Sequence, residues 1–85
     1  PGGDSLNPEH LGVRELAGRL DEKYRTLIEL IYFQGYTQEE AAEATGIPLG
    51  TIKTRLRYAI GELRKIFGDS HLAVLALAAS LGITT

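Results

Sequence analysis

The sequence predicts an all-α fold: a compact four-helix domain containing a helix-turn-helix, followed by a short apolar C-terminal helix. Three observations lead there. No stretch of useful length alternates apolar and polar residues, whereas apolar residues recur at three- and four-residue spacing. Helix-start residues precede these stretches at Asn7-Pro8, Asp21, Thr37 and Pro48. Glycines stand where two of them should end, Gly35 and Gly46. The chain has 85 residues, enough for one domain with a small core.

The opening residues 1–6 read as a linker or cloning remnant. Asn7 is positioned to cap the first helix, and Pro8 suits its first position because the missing N–H is not needed there. Leu6 and Leu11 then take the staple positions around that cap. Val13, Leu16, Ala17 and Leu20 form one apolar stripe, which extends the helix over 8–20. Gly12 and Gly18 weaken it, so it must lean on its neighbours. Asp21 can cap a second helix over 22–34. Tyr24, Leu27, Ile28 and Ile31 share one face, and Leu30, Tyr32 and Phe33 broaden it. A helix so apolar is expected at the centre of the core.

Thr37-Gln38-Glu39-Glu40 is a capping box that starts the third helix. Ala41, Ala42 and Ala44 give it a thin wall that a neighbour can approach. Gly46 permits a tight turn, and Pro48 sets the entry of the fourth helix. There Ile52, Leu56, Ala59, Ile60, Leu63, Ile66 and Phe67 fall on one side. Thr54, Arg57, Tyr58, Gly61 and Lys65 fall on the other, with Lys53 and Arg64 on one edge and Arg55 on the opposite edge. A short capped helix, a glycine turn and a longer helix with a basic face form the pattern of a helix-turn-helix, whose second helix enters the DNA major groove.

The charge distribution agrees with this. The net charge is −2 overall. Residues 1–46 carry four bases against nine acids, net −5, and residues 47–67 carry five bases against Glu62, net +4. A positive segment on an acidic body is a directional field. With no cysteine, disulfides and thiolate metal sites are excluded. His10 and His71 are far apart in sequence, and no metal site or cofactor is expected. No nucleophile–base pair, paired-carboxylate site or phosphate-cradling glycine loop stands out, so an enzyme is not expected. No signal peptide and no membrane-spanning apolar run is visible, and a cytoplasmic protein without membrane contact is the expectation.

The stretch from Leu20-Asp21-Glu22-Lys23-Tyr24-Arg25, through Ile31-Tyr32-Phe33-Gln34-Gly35-Tyr36-Thr37-Gln38-Glu39-Glu40-Ala41-Ala42, to Gly46-Ile47-Pro48-Leu49-Gly50-Thr51-Ile52-Lys53-Thr54-Arg55-Leu56 resembles region 4 of the extracytoplasmic-function branch of the sigma-70 family. The resemblance covers residues 20–67, and the leading helix suits the family's four-helix region 4. It implies a domain over 7–67 that reads the −35 promoter element in double-stranded DNA and docks on the β flap of RNA polymerase core. An anti-sigma factor is the further partner it implies. Carried over by position, Lys53, Thr54 and Arg57 would meet bases or adjacent phosphates, and Thr37, Gln38, Thr51 and Arg55 would meet phosphates. Arginine and lysine suit guanine edges, and donors at a helix start suit phosphates. For Arg55, an ion pair with Glu39 or Glu43 is an equal alternative, and Thr37 and Thr51 read equally well as plain helix-start residues.

Departures from the family pattern reduce the cationic contacts. Ile31 and Tyr58 stand where relatives often carry arginine, and Ile60-Gly61 where a basic pair is usual. Tyr58 could instead meet a thymine methyl or a sugar. Fewer neutralised phosphates mean weaker binding with a shallower salt dependence. Region 2, which binds the −10 element, is not in the chain, so a domain of a longer sigma factor is expected.

Residues 68–85 form an apolar tail that the family pattern does not cover. Gly68-Asp69-Ser70 offers a new cap, and 71–81 read as a helix ending at Gly82. It is apolar all round and too short to span a bilayer, so it must be buried against something. It either folds back on the first three helices or forms a partner surface, such as a homodimer through 70–82. Two alternative functions follow: a stand-alone dimeric helix-turn-helix regulator, or a protein-interaction module that has lost DNA binding.

Overall fold

The longest helix, α4 (Leu49–Phe67), carries the side chains around which the other elements pack. Its Ile52, Leu56, Ala59, Ile60 and Leu63 recur at helical spacing and are buried. A computed structural model describes residues 8–83, with side chains from residue 12 onward. In chain order the elements are α1 (Pro8–Ala17), α2 (Glu22–Ile28), a π-helical turn (Glu29–Phe33), α3 (Gln38–Thr45), α4 and α5 (Leu72–Ser80). All regular structure among the described residues is helical. α4 packs against α2, α3 and α5, α1 packs against α5 and α2, and α3 also meets the π turn.

α1 begins at Pro8 but ends at Ala17, short of the expected Leu20. Arg19 and Leu20 donate instead to the carbonyls of Leu16 and Ala17, the tighter pattern of a closing helix end. The Arg25 guanidinium donates to the Leu20 carbonyl at 2.7 Å and ties α2 back onto that end. The proposed Asn7 cap and Leu6–Leu11 staple lie outside the described side chains. Asp21 occupies the cap position of α2, but its side chain makes no capping bond.

The second helix departs from expectation. It does not run as α-helix to residue 34. After Ile28 it widens, and Gln34 N–H donates to the Glu29 carbonyl five residues back. Only Leu27 and Ile28 are buried there, whereas Tyr24, Leu30, Ile31, Tyr32 and Phe33 are half-buried at the edge of the core. The π turn spreads these apolar residues around the axis instead of stacking them on one face. The core centre is therefore α4. Within α4 the expected stripe is also shorter at its end: Ile66 is 49% exposed and Phe67 half-buried.

The α3 start follows the expected chemistry. The Glu40 N–H donates to Thr37 Oγ1 at 3.0 Å, and the Thr37 N–H donates to Glu40 Oε1 at 2.9 Å. Gly35 (φ 81°) and Gly46 (φ 76°) take the left-handed conformation that ends the preceding helix.

The tail folds back, chiefly onto α1 and α4. Val74, Leu77, Ala78 and Leu81 join the same core as α4. Ser70 is not the cap: His71 holds that position, without a side-chain capping bond. The close approach of α5 to α1 explains Gly12. A Cβ there would stand 3.3 Å from the Ala73 Cβ. Leu72 (81% exposed) and Leu75 (42%) remain outside.

Three substitutions check this packing by denaturant unfolding. Leu77→Ala should cost about 2–5 kcal/mol, because it opens a cavity in a shared core. Gly12→Leu should cost about 1–3 kcal/mol by forcing α5 away from α1. Thr37→Ala should cost about 0.5–2 kcal/mol through loss of the cap.

Candidate nucleic-acid interface

The candidate interface is built on the side of α4 that the core leaves free. One turn of chain at Gly46–Pro48 separates α3 from α4, and Pro48 precedes α4 without supplying a side-chain cap. The first-turn N–H groups of a helix have no intrahelical partners, so this end suits an anion. Lys53 and Arg57 lie one turn apart, exposed, and pair with no carboxylate among the described residues. Lys65, further along, is held by Glu62 at 3.3 Å.

The residues singled out by the sequence divide between two edges of α4. On one edge, Gln38, Lys53 and Arg57 line a common cleft of about 200 Å³. Gln38 stands at the first position of α3, beside the Thr37 cap. On the other edge, the Tyr58 ring lies against Tyr24 of α2, with centroids 5.4 Å apart and planes at 31°. Arg55 is half-buried on that side and lines a cavity with Glu22, Lys23, Thr26 and Leu27 of α2 and with Thr45 and Ile47. No ion pair joins Arg55 to Glu39 or Glu43 among the described residues.

Two of the hydroxyls are already engaged. Thr54 is exposed, and its Oγ1 donates to the Gly50 carbonyl at 3.0 Å, which leaves the oxygen able to accept. Thr37 Oγ1 accepts the cap bond and keeps its own proton. Thr51 is half-buried in the first turn of α4. Of the departures from the family pattern, Ile60 is part of the core, so a base there would not face a phosphate. Gly61 is half-buried, with open space where a side chain would begin.

Two further residues stand at the site that no sequence signal marked. Gly82 and Ile83, just beyond α5, form the remaining wall of the cleft with Gln38, Lys53 and Arg57. The Gln38 side-chain amide donates to the Leu81 carbonyl at 2.8 Å across 43 positions of sequence. Residues 72–83 carry neither charge nor motif, so nothing in them pointed to this edge.

The sequence matches the family described as Sigma-70, region 4 over residues 16–65, more than half of the chain. It is 42% identical over 60 residues to the ECF RNA polymerase sigma factor RpoE of Cereibacter sphaeroides, which covers 71% of this chain and 33% of that protein. It is 39% identical over 61 residues to the RNA polymerase sigma factor SigZ of Bacillus subtilis, covering 71% and 35% respectively. A third relative, the ECF RNA polymerase sigma factor SigL of Mycobacterium tuberculosis, is 32% identical over 56 residues, covering 66% and 32%. The chain thus spans about a third of the length of the curated relatives it matches. No solved structure shows a significant match. Its helix-turn-helix, with an apolar face in the core and cations outside that pair with no carboxylate among the described residues, agrees with those matches, and the chain belongs to the family of sigma-70 region 4 domains.

Proposed function

We propose that this domain reads the −35 element of promoter DNA and so helps direct RNA polymerase to initiate transcription. The observation that carries the reading is the division of α4. One side is sealed by Ile52, Leu56, Ala59, Ile60 and Leu63, and the other presents Lys53 and Arg57 just after the turn, paired with no carboxylate among the described residues. A recognition helix needs both features, a rigid back and cations free to meet DNA. In this reading Lys53 and Arg57 reach base edges or adjacent phosphates, and Thr54 faces the same groove. Gln38, with the free proton of Thr37, holds a phosphate from the start of α3, and Thr51 lies near the strand at the start of α4. Arg55 and Tyr58, turned toward α2, contact the backbone only at the rim.

The acids direct this approach. Glu39, Glu40 and Glu43 line a cleft with Gly46, Ile47, Pro48 and Leu49. Phosphates are repelled from that side and steered toward Lys53 and Arg57. The domain also contacts the β flap of RNA polymerase core, as the family membership supports, and acts in the cytoplasm. No helix among the described residues is long and apolar enough to cross a membrane. An anti-sigma factor is the further protein partner. The outer face of α5, where Leu72 and Leu75 are exposed, supports a protein contact there. A homodimer through 70–82 is left only that outer face, because Val74, Leu77, Ala78 and Leu81 are taken by the core.

The reading is tested on a duplex selected for binding from a random pool. Lys53→Ala and Arg57→Ala should each weaken binding by about 1–3 kcal/mol where the contact is to a base. Arg55→Ala should cost less than either. A variant that loses a phosphate contact should also lose about 0.9 from the slope of log K against log salt. Parent-like affinity of both the Lys53 and Arg57 variants at low salt would remove α4 as the reader.

A further inference from the structure

We propose that the segment Leu81–Ile83 is a built-in cover over the Gln38–Lys53–Arg57 edge, and that DNA must displace it to bind fully. The inference rests on the reading of α4 as the DNA-contacting helix. Three observations carry it. First, the end of α5 has a set direction. Gly82 is left-handed (φ 80°), its N–H donates to the Ala79 carbonyl at 3.1 Å, and the Ile83 N–H donates to the Ala78 carbonyl at 2.9 Å. This pair of bonds is the glycine-closed helix end that turns the chain sharply. Leu81 is buried in the core immediately before it, and Ile83 packs against the core after it. The tail therefore leaves α5 along one defined path.

Second, that path ends on the candidate DNA contacts. Gly82 and Ile83 share the cleft with Gln38, Lys53 and Arg57. Third, the tail uses a group that a phosphate would need. The Gln38 Nε2 donates to the Leu81 carbonyl, so one of its two N–H donors and the direction of the amide at the start of α3 are already committed. A phosphate at this edge would compete with that carbonyl for Gln38 and with Ile83 for space beside the two cations. The cover supplies no carboxylate of its own among the described residues, so it masks the cations without neutralising them. Long-range attraction to DNA persists while close contact is opposed.

The test compares the 85-residue chain with a chain ending at Leu81 as its C-terminal amide, which retains the buried Val74, Leu77, Ala78 and Leu81 and adds no carboxylate beside Lys53 and Arg57. The probe is a fluorescent 20-base-pair duplex of mixed sequence at low salt, read by anisotropy. Circular dichroism establishes that both chains are helical at the assay temperature. The shorter chain should bind about three- to tenfold more tightly, because Gly82 and Ile83 leave the cleft and the Leu81 end, no longer held by the bonds to Ala78 and Ala79, yields Gln38 more easily. Gly82→Val, which strains the turn in a full-length tail, should shift affinity in the same direction, and it decides the matter where the shorter chain loses helix. In the parent chain, saturating duplex should move the Gln38 side-chain amide and Ile83 methyl resonances. Equal affinity of the folded chains overturns the cover. Weaker binding by the shorter chain also overturns it and makes the tail part of the interface. Lys53→Ala and Arg57→Ala, made in the shorter chain, separate the two readings. If they weaken binding while truncation does not tighten it, only the cover fails. If neither weakens binding, the α4 reading itself fails.

Discussion

The structure depends on burying one side of α4. Ile52, Leu56, Ala59, Ile60 and Leu63 lose their water contact to α2, α3 and α5 together, and each of the larger side chains contributes about 1.5–3 kcal/mol by that transfer. No other element gives the core so many buried side chains among the described residues. The same burial sets the orientation of everything opposite it. Because a helix is rigid, sealing one face points Lys53, Thr54 and Arg57 outward without any further interaction to aim them. Fold stability and the presentation of the candidate contacts are thus one constraint.

Around this helix, smaller devices adjust the scaffold. The π turn at Glu29–Phe33 lets α2 change phase before Gly35, and it leaves aromatic surface at the edge of the core. Arg14 covers part of that surface, with its guanidinium 4.0 Å from the Phe33 centroid and 3.7 Å from the Glu29 carboxylate. Both Arg14 and Glu29 are substantially solvated, so the ion pair adds little and the packing of the guanidinium on the ring matters more. At the far end of α4, Arg19 lies 5.6 Å from the Phe67 centroid, and His71 meets the same ring at 5.2 Å. These contacts cover half-exposed aromatics that the small core cannot enclose.

The tail changes the meaning of both ends of the molecule. Through α5 the C-terminal segment completes the core between α1 and α4, so α1 and the tail support each other. Gly12, which weakens α1 as an isolated helix, is the position that admits Ala73 at close range. Beyond α5 the chain reaches the edge of α4 that carries Lys53 and Arg57. Residues 72–83, with no charge and no motif, therefore touch stability through Val74, Leu77, Ala78 and Leu81, and touch the candidate interface through the Leu81 carbonyl, Gly82 and Ile83.

Much of this was legible in the residues themselves. The Thr37–Glu40 box, the left-handed Gly35 and Gly46, and the two-sided character of α4 follow from local geometry, since their partners lie within four residues. So does the helicity of the tail. The helix phase in 29–33, the exposure of Ile66, and the partners of Arg55 and Tyr58 were decided by tertiary packing. Each depends on which neighbour arrives, and neighbours such as Tyr24 and Tyr58 are far apart in sequence. The tail is the clearest case. A helix apolar on every side has no preferred face, so its sequence demands burial without saying where. Only the fold, by placing α1 and α4 at the right separation, chose the buried half of α5 and carried its end to Gln38.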